Sequence, residues 1–165
     1  DSLDAVADLA ERVNAGVRSM GVALSACTVP HAGEPSFELA ENEIELGVGI
    51  HGEPGRRRMP MAGADAITDQ LLEPILSDLG AGSGERVLLF VNGMGGTPLS
   101  ELYIVYRHAA KLLADRGLHV ERSLVGNYIT ALEMQGASIT VLKLDDDMID
   151  LWDSPVHTAA LRWGV

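Results

Sequence analysis

Apolar positions Leu3, Val6, Ala10, Val13 and Val17 recur at helical spacing, with Ser2 able to cap the start and Gly21 to stop it. The spacing predicts an amphipathic helix over 2–19. The apolar run 21–26 reads as a short buried strand, and the Pro30, Gly33 and Pro35 punctuation of 28–43 as an irregular excursion. Ile44, Leu46, Val48 and Ile50 then alternate with Glu45, Gly47 and Gly49, which predicts a strand over 44–50. Its second face carries the two glycines and, next in register, His51.

A helix over 64–79 follows, weakened by Pro74 and broken at 80–84, and then a continuous apolar strand over 86–91. The turn Asn92-Gly93-Met94-Gly95-Gly96 leads through Thr97, placed to cap, and Pro98, at the first helical position, into a helix over 98–116. Leu102, Val105, Tyr106, Ala109 and Leu112 form its core stripe. Strands over 118–125 and 138–144, a terminal helix over 145–152 and an extended tail complete the chain. Five to six strands interleaved with about three main helices define an α/β fold. The helix-free 27–44 connection makes its sheet mixed, not purely parallel.

At 165 residues the chain has room for one core, and 47% hydrophobic with 22% charged residues is the balance of a folded globular domain. Aromatic residues at 4% leave few stacking platforms for bases, and a net charge of −12 repels phosphodiester backbones and anionic membranes. Nucleic-acid and membrane partners are therefore disfavoured. Cys27 is the only cysteine, so no internal disulfide forms and no cysteine-built zinc site exists. With no apolar stretch long enough to span a bilayer and no signal-like start, the expected compartment is the cytoplasm.

Candidate chemistry concentrates at 45–55. Glycines at 47 and 49 strip side chains from the strand face that also bears His51, a pattern that marks close approach by a ligand or another backbone. Glu53-Pro54-Gly55-Arg56 suits a type II turn, which would end the strand at His51 and present its imidazole at a rim. An unperturbed histidine, with a pKa of about 6.5, is mostly neutral above pH 7 and keeps one ring lone pair as base, ligand or nucleophile. A turn histidine bonded only to backbone is the plainer alternative. Glu43, Glu45 and Glu53 offer His51 oxygen co-ligands, but no zinc-type spacing accompanies them, and no metal site is expected. The 93–98 loop lacks both the dinucleotide fingerprint and the P-loop lysine, so it reads as a structural turn. Arg56-Arg57-Arg58 reads as a solvated loop, and Asp145-Asp146-Asp147 as a helix cap.

Gly47-Val48-Gly49-Ile50-His51-Gly52-Glu53-Pro54-Gly55 resembles the histidine motif of the dihydroxyacetone kinases. Ser19 to Leu24, Cys27-Thr28-Val29-Pro30, Thr97 to Tyr103 and Leu151 to Thr158 are similar to further segments of that family, in order, from about Leu3 to the C-terminus. The short tail ending Leu161-Arg162-Trp163-Gly164 is similar to the substrate-binding subunit of the phosphoenolpyruvate-dependent, phosphotransferase-linked systems. The resemblance implies a two-layer α/β domain, a homodimer, and a covalent hemiaminal between His51 and the carbonyl carbon of dihydroxyacetone, with Gly49 and Gly52 beside it. It implies no cofactor in this chain. The nucleotide with magnesium belongs to a partner kinase subunit or a fused domain.

The chain, opening Asp1-Ser2-Leu3 without an initiator Met, corresponds in this resemblance to the second, C-terminal domain of the subunit. The family's N-terminal domain, with its further substrate hydrogen bonds and acidic general base, is then absent, and this chain alone is expected to be inactive. The alternative is a docking or regulatory module of the same family. Covalent capture has a physical rationale, because a triose of six heavy atoms cannot reach even the ceiling of about 1.5 kcal/mol per atom when its hydroxyls must be desolvated. It also separates the ketone from glycerol, which offers no carbonyl.

Overall fold

The computed structural model describes residues 2–51 and 53–164. Its order is α1 (Leu3–Gly16), β1 (Val17–Ala23), β2 (Glu43–Leu46), β3 (Arg57–Pro60), α2 (Ala64–Leu79), β4 (Arg86–Gly93), α3 (Leu99–Asp115), β5 (His119–Gly126), β6 (Gly136–Lys143), α4 (Asp146–Asp153), β7 (Val156–His157) and β8 (Arg162–Trp163). Six strands form one mixed sheet in the order β3-β2-β1-β6-β4-β5, in which only β4 and β5 run parallel. The α/β class and the mixed sheet are as the chain's periodicity predicts. β7 and β8 pair separately as a small hairpin in the tail, with Trp163 packed against Trp152.

Alternation within the strands divides the sheet into two unlike faces. Val87, Leu89 and Val91 of β4, with Ile139 and Val141 of β6, point inward to Leu71, Leu72 and Ile75 of α2 and Leu102, Ala109 and Leu113 of α3. Each of these buried Val, Leu and Ile side chains contributes about 1.5–3 kcal/mol of transfer free energy. On the opposite face, α1 and α4 cover one end only, through Val13, Met148, Ile149 and Trp152 against Leu88, Phe90, Leu142 and Leu144. The rest of that face stays open, and there the register aligns Ser19 with Thr140 and Phe90, and Gly21 with Ser138 and Asn92.

Four local expectations are corrected by tertiary pairing. The first helix stops at Gly16, because Val17 to Ala23 pair residue by residue with β6, and Gly21 lies within the strand rather than ending a helix. β2 ends at Leu46, not at Ile50. Arg57 and Arg58 are not solvated loop but the start of β3, paired with β2 and held by Arg58 to Glu43 and Glu45. Thr97 does not cap α3: Pro98 occupies the cap position, while the Thr97 hydroxyl donates to the Gly136 carbonyl at 2.7 Å and accepts from the Gly136 N–H at 2.8 Å. Asp145, by contrast, caps α4 as expected, accepting from the Met148 N–H at 2.9 Å.

Leu89 lies wholly buried at the centre of the inner face. Leu89→Ala is expected to lower stability by about 2–5 kcal/mol, read as a lower urea midpoint with an unchanged slope.

Candidate functional site

Where β2 ends, Gly47 takes a left-handed φ of 83°, which an L side chain rarely adopts, and the chain leaves the sheet. Two backbone bonds close the excursion at its base: the Gly47 N–H donates to the Gly21 carbonyl at 2.6 Å, and the Arg56 N–H to the Leu46 carbonyl at 2.7 Å. Glu45 reinforces the closure. Its carboxylate, with the side chain only 10% exposed, accepts from the Gly55 N–H at 2.7 Å and from Arg58 Nε at 3.2 Å. Gly55 does not take the positive φ that a type II turn requires. A Cβ there would lie 2.6 Å from the Leu46 carbonyl oxygen, so contact with β2 sets its identity.

The loop is supported from beneath by a second apolar cluster of Ala23, Cys27, Val48, Met94, Ala131 and Met134, with Ile50 packed against it. The odd and even positions of 44–50 thus do not form one strand face. Val48 and Ile50 anchor the loop, and His51 follows at its rim with its side chain 79% exposed.

His51 has one partner among the described residues, Glu53. The His51 backbone N–H donates to Glu53 Oε2 at 2.9 Å, while ring Nδ1 lies 3.1 Å from Glu53 Oε1. One carboxylate therefore grips both the main chain and the ring of the same residue. The Glu53 backbone N–H first, then that of His51, holds the Glu53 carboxyl below the ordinary glutamate range. Gly49 adjoins this pair, since a Cβ on it would lie 2.7 Å from Glu53 Cδ. The space cleared at 49 is filled by that carboxyl group. Gly52 lies outside the described residues.

A cleft of about 770 Å³ runs beside the loop, along the edge of β1 and onto the open sheet face. Gly47 to Ile50 and Arg56 form one wall, the end of α2 another, and Ser19, Asn92, Ser138 and Thr140 give it hydroxyl and amide groups. Asn92, 2% exposed, fixes the opposite rim: its Oδ1 accepts from the N–H groups of Tyr128 and Ile129 at 3.0 and 2.9 Å, and its Nδ2 donates to the Ile129 carbonyl at 2.7 Å. Spacing gives Asn92 no role beyond its turn, although an amide interrupting the apolar end of a strand is a signal for it. It places Glu53 in a turn and, with Glu45, among possible metal co-ligands, and the readable clue to the grip on His51 is the i, i+2 separation of the two.

The glycine-rich turn after β4 spends its amides on protein, with Met94 N–H donating to the Gly136 carbonyl and Gly96 N–H to the Met134 carbonyl. Among the described residues no three His, Cys, Asp or Glu side chains come together to hold a metal ion, and no helix is long and apolar enough to cross a membrane.

The Dak1 domain family matches residues 1–160, and the chain belongs to that family. It is 47% identical, over 99% of its own length, to the PEP-dependent dihydroxyacetone kinase, dihydroxyacetone-binding subunit DhaK, of Escherichia coli (strain K12), of which it covers 53%. Among solved structures it resembles the dihydroxyacetone kinase operon co-activator Dha-DhaQ, with a TM-score of 0.87 and 34% identity, covering 94% of this chain and 48% of that one. It also resembles the dihydroxyacetone kinase from C. freundii in complex with AMP-PNP and Mg2+, with a TM-score of 0.77 and 29% identity, covering 94% of this chain and 28% of that one. The chain spans about half the length of the curated relatives it matches.

Asn92→Ala leaves the Tyr128 and Ile129 N–H groups without their acceptor. It is expected to cost about 1–3 kcal/mol and to speed amide exchange at those two residues, measured by hydrogen exchange. The Glu53 carboxyl is expected to titrate below the range of an ordinary glutamate in a carbon-13 NMR titration. Because its folded value is depressed, its grip on His51 is complete above the ordinary range and lost as pH falls through the lowered value.

Proposed function

We propose that this domain is the dihydroxyacetone-capturing part of a phosphotransferase-linked dihydroxyacetone kinase, with His51 as the nucleophile. The observation that carries this reading is an exposed imidazole, held by one carboxylate on a loop tied back to the sheet, whose preceding residues Gly47 to Ile50 line a cleft that also presents the hydroxyls of Ser19, Ser138 and Thr140. A neutral ring nitrogen adds to the ketone carbon, the C=O π pair moves to oxygen, and as the ring gives up its N–H proton the oxygen takes one, leaving a neutral hemiaminal. The bond supplies affinity that six heavy atoms cannot obtain from contacts, and it rejects polyols lacking a carbonyl.

In this reading the phosphoryl donor, a nucleotide with magnesium, is held by a partner kinase subunit, and the domain itself carries no cofactor. The C. freundii kinase named as a complex with AMP-PNP and Mg2+ supports the nucleotide as donor in the wider family. The acidic general base would come from a further domain, and the working assembly would be a homodimer. In this reading Gly49 and Gly52 belong to the substrate loop, Gly49 by leaving room for Glu53.

A second reading, a regulatory module that senses the ketone without passing it on, is favoured by the likeness to the co-activator Dha-DhaQ. Turnover with a nucleotide-bearing kinase subunit separates the two, since a sensor binds the ketone and yields no triose phosphate.

With dihydroxyacetone labelled at its carbonyl carbon, a bound tetrahedral-carbon signal is expected in carbon-13 NMR and is expected to vanish in His51→Ala. An undiminished tetrahedral signal in His51→Ala overturns the assignment.

A further inference from the structure

We propose that Glu53 is a positioning residue that holds the proton of His51 on Nδ1 and so makes Nε2 the nitrogen that adds to the substrate carbonyl; this rests on His51 being the capturing nucleophile. An ionised carboxylate offers acceptors only, so the contact at 3.1 Å between Glu53 Oε1 and the ring is a hydrogen bond only if Nδ1 carries hydrogen. A neutral imidazole has a single N–H. Placing it on Nδ1 leaves the lone pair on Nε2, across the ring from the carboxylate.

Two features make the contact a fixed element rather than a surface encounter. Glu53 Oε2 is tied at 2.9 Å to the His51 backbone N–H, so the carboxylate is anchored to the main chain of the residue whose ring it orients. Its seat also requires glycine at 49, where any Cβ would press on Glu53 Cδ at 2.7 Å. No other partner of the imidazole occurs among the described residues, which leaves Glu53 to set the tautomer.

The same carboxylate serves the addition step. When Nε2 forms its bond to carbon, the ring becomes an imidazolium with its remaining N–H directed at Glu53, and the carboxylate stabilises the new positive charge. The Nδ1 proton is then released through Glu53 or water, and the alkoxide takes one up. The net change is one N–C bond formed, one C=O π bond broken and one proton moved from nitrogen to oxygen. Glu53 need not touch the substrate to do this.

The test is nitrogen-15 NMR of the histidine ring, in the protein as it is expressed, at a pH where His51 is neutral, combined with titration of the carbonyl-labelled ketone. Wild type is expected to show an N–H at Nδ1 and a pyridine-type Nε2. Glu53→Ala should move the proton toward Nε2 and weaken capture on the order of tenfold, the size one charge-assisted hydrogen bond carries at an exposed site. Glu53→Gln, whose amide oxygen still accepts, should restore part of both. A wild-type ring protonated at Nε2, or a Glu53→Ala variant with unchanged tautomer and unchanged capture, overturns the role of Glu53 even if the adduct forms. The expected tautomer without any adduct in wild type overturns instead the reading of His51 as nucleophile, and the proposed attack with it.

Discussion

The chain leaves its sheet at Leu46 and returns to it at Arg57, and the backbone bond between Arg56 N–H and the Leu46 carbonyl holds those two points together. Everything distinctive about the site depends on that closure. Without it, the residues that follow β2 would be free to continue as strand, and His51 would lie on a sheet face beside other side chains. With it, the segment becomes a tethered loop whose apolar residues grip a small core and whose histidine stands at the rim. The buried Glu45 carboxylate strengthens the closure from below, taking hydrogen bonds from both the returning backbone and Arg58. A carboxylate so placed is tolerable because both of its oxygens are satisfied.

The loop works with a sheet that is covered unevenly. α2 and α3 bury the inner face along its length, whereas α1 and α4 shield only one end of the other. The open region carries the hydroxyls of Ser19, Ser138 and Thr140, groups suited to meeting a hydroxylated ligand or a polar protein surface. Asn92 links this floor to the 127–130 rim with its amide fully used, so the wall facing the histidine loop is fixed as firmly as the loop itself. The geometry therefore combines rigid surroundings with an exposed nucleophile candidate, the arrangement that reversible covalent binding of a small ketone calls for.

Glu53 and Gly49 show how two neighbouring choices act as one. The Glu53 carboxylate reaches back to the ring across position 49, where a Cβ would lie 2.7 Å from Glu53 Cδ, and the hydrogen of Gly49 provides that room. The glycine that spacing alone reads as a gap for a ligand or another backbone is, in the folded chain, the seat of the Glu53 carboxyl group.

Much of the fold was legible from periodicity alone. The helix over 64–79, the apolar run of β4 and the Asp145 cap of α4 are local signals, and tertiary packing agrees with them. The glycine and histidine motif likewise singles out 47–55 as the candidate loop, because its residue types are unusual for a strand end. Three things were decided only in three dimensions. Val17 to Ser19 satisfy the helical period as well as a strand's, and pairing with β6 settled it. The alternation through Ile50 could not reveal that Gly47 turns the chain away, since a left-handed φ breaks a strand without changing its hydrophobic pattern. Arg58, Glu45 and Asn92 acquire their roles from partners distant in sequence, and hydrogen bonds across such separations leave no trace in spacing. The chain thus determines by itself which residue types stand at 47–55, while the distant partners that hold the loop in place exist only once the sheet has formed.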